Sequence, residues 1–433
     1  MEQGHAGLRV RVDPVFRSPA AMPTIVQKRR LHACRILPLR LPADTTVIGM
    51  PARFATPFAK QQLRRGQNVV LLGSDVNLDV SEASERALKE IAALENRWVF
   101  TPHGFAHAFR RGKLGIVGTA GTAIQHAGCL LHRRGIGMSR IYSVGSRDLS
   151  NNIQGLETFR ALRCLNEDST TEAILLLLKR LPVRQEERLI KLLRIIEKPV
   201  VAYVPGRGNA ALGRLNWAAT LEDAVDLTET LFGRCDMAAP VPSKTREHLL
   251  RKSNPFSDGE PSVRGLFSGG SCCDEAVAVL RGMGLFVQSN TDPSKKPMRD
   301  LCEIFGHACI DLGAGLRPGG KPHYPMIDLR LKTELLVETS AKLRSVIILF
   351  DVFLGYGSHP RPAEELAVAI RKAQRIAGRL RHSVLFVATI IGIESDPQGL
   401  KGQTALLKKA GVILTETITE AARTAGHLAK RGS

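Results

Sequence analysis

Two short stretches about 150 residues apart follow one plan, and that plan admits few folds. The first is Gly115-Ile116-Val117-Gly118-Thr119-Ala120-Gly121-Thr122, running into Ala123-Ile124-Gln125. The second is Gly265-Leu266-Phe267-Ser268-Gly269-Gly270-Ser271, running into Cys272-Cys273-Asp274-Glu275-Ala276. Each reads as a buried strand, a turn of glycines and hydroxyl residues, and then a helix. Such a turn aims backbone N–H groups and the positive end of a helix dipole at one point, which suits an anion such as phosphate. Two copies predict two related domains, each with an anion site.

The residues around them support parallel βαβ units. Ile174-Leu175-Leu176-Leu177-Leu178 and Ser345-Val346-Ile347-Ile348-Leu349-Phe350-Asp351-Val352 are continuous apolar runs, as expected of strands covered on both faces. Helical patterns alternate with them, at about 82–94, 155–165, 185–197, 329–341 and 363–378. Strand, glycine turn, helix, strand and strand recur in matched order, which argues an internal duplication. The expected fold class is therefore α/β with parallel sheets. Residues 1–45 lack clear periodicity, and 238–262, rich in Pro, Ser and charge, reads as a helix and linker. Domain limits fall at 46–112, 113–237 and 263–429.

The chain of 433 residues is long enough for two or three domains. Its strongest apolar run is far short of the roughly 18–20 residues of a membrane span, so no membrane role is expected. No apolar signal segment opens the sequence, and the eight cysteines include no Cys-x-x-Cys pair. Reduced thiols in a cytoplasmic protein are the expectation. Cys302, His307 and Cys309 invite a metal reading, but Cys309 lies in a strand-like run and no fourth ligand stands out, so no metal site is assigned. The net charge is +20, and residues 1–66 hold 12 Lys or Arg against 3 Asp or Glu. Aromatic residues make up only 5%, which leaves few stacking platforms for nucleic acid. Anionic small molecules or acidic partner proteins fit the charge better.

Ligands of open α/β sheets gather at the carboxyl ends of strands. The polar residues there are the candidate ligand-binding positions: Gly118, Thr119, Gly121, Thr122, Gly145, Arg147 and Asp148 in the first half, and Ser268, Gly269, Gly270, Ser271, Gly355 and Gly357 in the second. Glu394 and Asp396 follow a third strand. Asp351 and His359 at strand ends, with His323 and Asp328, are the candidate catalytic groups. No Ser-His-Asp order, Walker loop or two-His metal helix is present.

Together these residues resemble the FdrA family, relatives of the α subunit of succinyl-CoA synthetase. The likeness spans roughly 46–427 and rests on the two opening loops, on Gly145-Ser146-Arg147-Asp148-Leu149-Ser150, and on Gly306-His307. It continues through Ile310-Asp311-Leu312-Gly313, His323, Pro325-Met326-Ile327-Asp328, Asp351–Pro360 and Asp396-Pro397-Gln398-Gly399-Leu400. It implies a Rossmann-like CoA-binding domain, here reduced, followed by two flavodoxin-like domains of the succinyl-CoA synthetase type. It also implies CoA, a nucleotide and Mg2+ as cofactors, and an acid activated as its acyl phosphate. A histidine then carries phosphate to the nucleotide.

Here two positions depart from the family. The phosphohistidine loop, Gly-His-Ala-Gly in ligases, corresponds to Val204-Pro205-Gly206-Arg207-Gly208-Asn209-Ala210, which has no histidine. The Gly-Pro-Asp-Cys-Gly loop expected shortly before the first signature strand is missing, since Trp98-Val99-Phe100-Thr101-Pro102 runs almost directly into His103-Gly104. FdrA-type proteins are also associated with oxamate carbamoyltransferase in allantoin breakdown. The resemblance therefore admits three functions: an acyl-CoA synthetase-like protein, a carbamoyltransferase subunit in a hetero-oligomer, or a scaffold without catalysis.

Overall fold

The computed structural model describes residues 45–48, 52–71, 82–100, 107–179, 181–233, 256, 260–291, 304–314 and 324–430. Three parallel strands come first: β1 (Thr45–Ile48), β2 (Asn68–Leu71) and β3 (Val99–Phe100), paired in that order. Helices α1 (Ala52–Arg64) and α2 (Glu82–Leu94) connect them and close a small core around Leu63, Val69, Leu88 and Val99. The expectation of a reduced Rossmann-like unit corresponds to these elements.

The first six-stranded sheet contains β4 (Arg111–Gly118), β5 (Met138–Ser143), β6 (Ala173–Leu177), β7 (Val200–Tyr203), β8 (Ala210–Leu212) and β9 (Leu215–Ala218). Its order is β5-β4-β6-β7-β9-β8, parallel except for the β8–β9 hairpin. Helices α3 (Gly121–Arg133), α4 (Leu156–Glu167), α5 (Val183–Leu193) and α6 (Leu221–Leu231) accompany it. The second sheet contains β10 (Ser262–Phe267), β11 (Val287–Ser289), β12 (His307–Asp311), β13 (Ser345–Phe353), β14 (Ser383–Ile391) and β15 (Ile413–Thr415). It is parallel throughout, in the order β11-β12-β10-β13-β14-β15. Its helices are α7 (Gly270–Gly282), α8 (Arg330–Lys342), α9 (Pro362–Leu380), α10 (Leu400–Lys409) and α11 (Ile418–Lys430).

The strands β5-β4-β6-β7-β9 and β12-β10-β13-β14-β15 share the 2-1-3-4-5 order of flavodoxin-like sheets, with β8 and β11 added at the edges. The fold is thus α/β with two parallel-sheet domains, and both signature strands take the first position. Each sheet separates two apolar clusters, one per face, which is why its central strands carry no polar alternation.

The two domains share a buried seam. Glu275 of α7 is fully buried and accepts the Leu221 N–H at 2.9 Å, the first residue of α6. It also accepts the hydroxyls of Tyr203, from the first sheet, and Thr419, from α11. Burial holds the Glu275 carboxyl above its usual range. One side chain therefore ties the end of β7, the start of α6 and the start of α11 together.

Candidate functional site

In 2-1-3-4-5 sheets the chain reverses direction between the first and third strands, and a crevice opens at their carboxyl ends. In the first domain that crevice lies at Gly118 and Leu177. The Thr119 N–H donates to the Leu177 carbonyl at 3.0 Å, and the Thr119 hydroxyl accepts the Lys179 N–H at 3.0 Å. Thr119 therefore fixes the loop after β6 and sets Lys179 at the crevice. Gly118 has no room for a side chain, because a Cβ would fall 2.8 Å from the Leu177 carbonyl oxygen.

The second opening meets the first head-on. A Cβ on Gly269 would stand 2.4 Å from Cγ2 of Thr122, so the two loops are in direct contact. A Cβ on Gly270 would stand 2.8 Å from Oδ2 of Asp311 and 3.4 Å from Nζ of Lys179. Neither α3 nor α7 has a side-chain cap at its N-terminus. The uncapped starts of two helices, an ammonium and a carboxylate thus lie together where sequence reasoning expected two separate loops.

Asp311 ends β12 and is held by reciprocal backbone bonds to Asn290 at 2.8 Å, while its Oδ1 accepts the Gly313 N–H at 2.9 Å. Burial pushes its carboxyl up to about 6, against the opposing pull of the Gly313 N–H and of Lys179. Around pH 6 both of its forms are therefore populated, and when neutral it can donate a hydrogen bond to an anion instead of repelling it. Lys179 supplies the positive charge. The neighbouring thiols Cys272 and Cys273 are buried and pushed well up by burial, so they stay protonated.

Most other polar candidates have internal partners. Asp148 is buried and receives Lys89 Nζ at 2.7 Å, the Thr158 N–H at 2.9 Å and the Thr158 hydroxyl at 2.6 Å, so it caps α4 and anchors α2. Arg147 pairs with Glu85 at 2.7 Å, and Gly145 turns the chain with φ of +91°. Asp351 accepts the Ser268 N–H at 2.8 Å and Lys332 Nζ at 2.7 Å, while Lys332 also donates to the Ser268 hydroxyl at 2.6 Å. This buried trio braces the second opening from behind. Ser271 is buried in the first turn of α7, and Gly121 opens α3.

Gly355 and Gly357 adopt φ of +117° and +93°, and Gln398 clamps their loop through the Gly355 N–H, the Gly355 carbonyl and the Ser358 hydroxyl. His359 faces Glu365 at 3.1 Å and accepts the Arg361 N–H at 3.2 Å, at the start of α9. Asp328 pairs with Arg330 and accepts its N–H at the start of α8. His323 lies outside the described residues. In the loop after β7, Arg207 stacks over Trp217 at 3.9 Å and pairs with Glu186. Gly206 and Gly208 of that loop border open space.

A second polar group joins the domains. His107 Nδ1 contacts Asp396 Oδ1 at 2.8 Å, and its Nε2 contacts Gln125 Nε2 at 2.7 Å. Gln125 also donates to the Leu354 carbonyl at 3.2 Å. The amide nitrogen therefore donates to both, which makes Nε2 the acceptor and Nδ1 the donor of the imidazole. Partners 289 residues apart gave no local signal in the sequence. Lys179, Lys332 and Asp311 were also missed as site residues; for Asp311 the available cue was an acid at a strand end two residues before a glycine. His307 accepts the Val263 N–H at 3.0 Å, and burial pushes Cys309 up to about 12. Among the described residues no group of His, Cys, Asp or Glu is arranged to hold a metal ion, and no helix is long and apolar enough to cross a membrane.

The second parallel-sheet domain is similar to CoA-ligase domains. Residues 266–428 match the CoA-ligase family model. Over 391 residues the chain is 29% identical to an uncharacterized protein, YahF, of Escherichia coli (strain K12), covering 87% of this chain and 75% of that protein. It is 28% identical over 176 residues to subunit alpha 1 of an ADP-forming succinate–CoA ligase of Archaeoglobus fulgidus, covering 38% of this chain and 59% of that subunit. A solved structure of an acetyl-coenzyme A synthetase 1 of Ca. Korarchaeum cryptofilum, in complex with phosphate and ADP, aligns with 91% of this chain and 84% of its own, at 16% identity and a TM-score of 0.34. Over part of its length the chain is similar in sequence to succinate–CoA ligase α subunits.

Proposed function

We propose that this protein is an FdrA-type, acyl-CoA synthetase-like protein that binds a phosphorylated anionic ligand at the seam between the two opening loops. The observation that carries this reading is the meeting of two uncapped helix N-termini beside Lys179 and Asp311. Backbone N–H groups at helix starts and a nearby ammonium are a standard means of holding phosphate. Asp311 gives the site a pH dependence: its neutral form admits an anion, and its ionised form competes for the same donors.

The loop that carries the phosphohistidine in ligases has no histidine here. Phosphate transfer through an imidazole at that loop is therefore not part of the proposal. That departure favours a second reading, in which the chain is a subunit of an oxamate carbamoyltransferase and the seam holds carbamoyl phosphate without a covalent relay. CoA, a nucleotide and Mg2+ remain proposed cofactors of the first reading, and pathway subunits proposed partners of the second.

The test is to assay the purified protein, alone and with the products of neighbouring genes. Acid- and CoA-dependent nucleotide turnover supports the first reading. Phosphorolysis of oxalurate only with partners supports the second. Silence in both, with no thermal shift from CoA, phosphate or carbamoyl phosphate, refutes the anion site and leaves a scaffold.

A further inference from the structure

A cleft of about 430 Å³ lies beside the second domain, and its lining includes none of the residues that meet at the two opening loops. It lies at the carboxyl ends of β14 and β15, where parallel sheets collect ligands. One wall is a single face of α10, with Lys401, Thr404 and Lys408 at helical spacing. Arg133, from the last turn of α3, closes it from the first domain. Glu394 and Glu416 stand at the rim, and Ile390 and Leu414 supply apolar surface.

Two facts mark the cleft as a binding site rather than a dent. The Nε and Nη2 atoms of Arg133 are buried and have no hydrogen-bond partner. Arg133 forms no ion pair among the described residues, so its guanidinium, charged at any physiological pH, leaves this wall of the cleft positive. Moreover, Lys401 and Lys408 enter no ion pair among the described residues. Three uncommitted cations therefore face one cleft.

We propose that this cleft binds a phosphate-bearing small molecule with a hydroxylated body. Arg133, Lys401 and Lys408 take the phosphate, and the Thr404 hydroxyl adds a donor. Glu394 and Glu416 accept from the hydroxyls, while Ile390 and Leu414 cover the apolar part. The volume lies within the range of small-molecule sites and suits a mononucleotide or sugar phosphate. Because the lining comes from α3 and from the second domain, an occupant joins the two domains independently of the seam.

Calorimetric titration with AMP and with ribose 5-phosphate tests this, with adenosine as the uncharged control. Both phosphorylated probes are expected to bind the wild-type protein and adenosine not to. The exposed double variant Lys401→Ala/Lys408→Ala should weaken both by about tenfold or more, since each lysine contributes a charge-assisted contact. In the Lys179→Met background, where the seam has lost its ammonium, the same double substitution should weaken both probes by the same factor. Loss of binding in Lys179→Met with full binding in the double variant would place the ligand at the seam and overturn the proposal. Failure of both phosphorylated probes to bind the wild-type chain would also overturn it.

Discussion

Replacing Asp311 with Asn should stabilise the protein at neutral and alkaline pH. Asparagine keeps the shape and the Oδ1 acceptor that receives the Gly313 N–H at 2.9 Å, replaces Oδ2 with an amide NH2, and removes the ionisable charge. Burial raises the Asp311 carboxyl from 3.8 to about 6 in the folded protein. A group raised in this way favours folding fully below its unfolded value, and that contribution is lost as pH rises through its folded value. Two units correspond to about 3 kcal/mol, so wild type should be that much less stable than Asp311→Asn above pH ~6 and equal to it below pH ~4. For a domain of this size the difference is roughly 6–12 °C in Tm. Thermal unfolding by circular dichroism from pH 4 to pH 8 reads it directly. Parallel curves across that range, or a variant less stable at pH 8, would refute the placing of this carboxylate in a buried cradle.

Other perturbations have defined outcomes. His126→Leu should remove a loss of stability in acid: burial lowers this imidazole from 6.5 to about 3, so wild type should lose about 2 kcal/mol between pH 7 and pH 5 that the variant keeps. Urea titrations at the two pH values measure it. Lys332→Met leaves Asp351 buried without its cation and should cost about 3–5 kcal/mol, whereas Lys332→Met/Asp351→Leu should recover much of that loss. Gly269→Val drives a side chain into Thr122 and should destabilise by about 1–3 kcal/mol or more, read as a lower urea midpoint. Gly270→Val should abolish any phosphate-dependent thermal shift by filling the space between Asp311 and Lys179; an unchanged shift rejects the seam as the site.

The sheets were legible because buried parallel strands leave continuous apolar runs such as Ile174–Leu178, and because the glycine turns mark strand ends. The β8–β9 hairpin was not, since β8 is exposed along its whole length and carries no alternating pattern. The site was legible only as two loops. Their meeting depends on the packing of α3 against α7 across the domain seam, which no local pattern encodes. Asp148 and Asp351 illustrate the same limit. An acid at a strand end serves equally to bind a ligand or to receive a buried lysine. Lys89 and Lys332, which decide between the two, are distant in sequence.

The central claim is that two helix starts form one anion site rather than two. Soaking crystals in tungstate, an electron-dense analogue of phosphate, tests it directly through anomalous scattering. The account predicts a single peak between Thr122 and Gly270, within hydrogen-bond distance of Lys179 Nζ, that disappears in Lys179→Met. Separate peaks on the two loops, or no peak at the seam while the protein binds phosphate in solution, would contradict it.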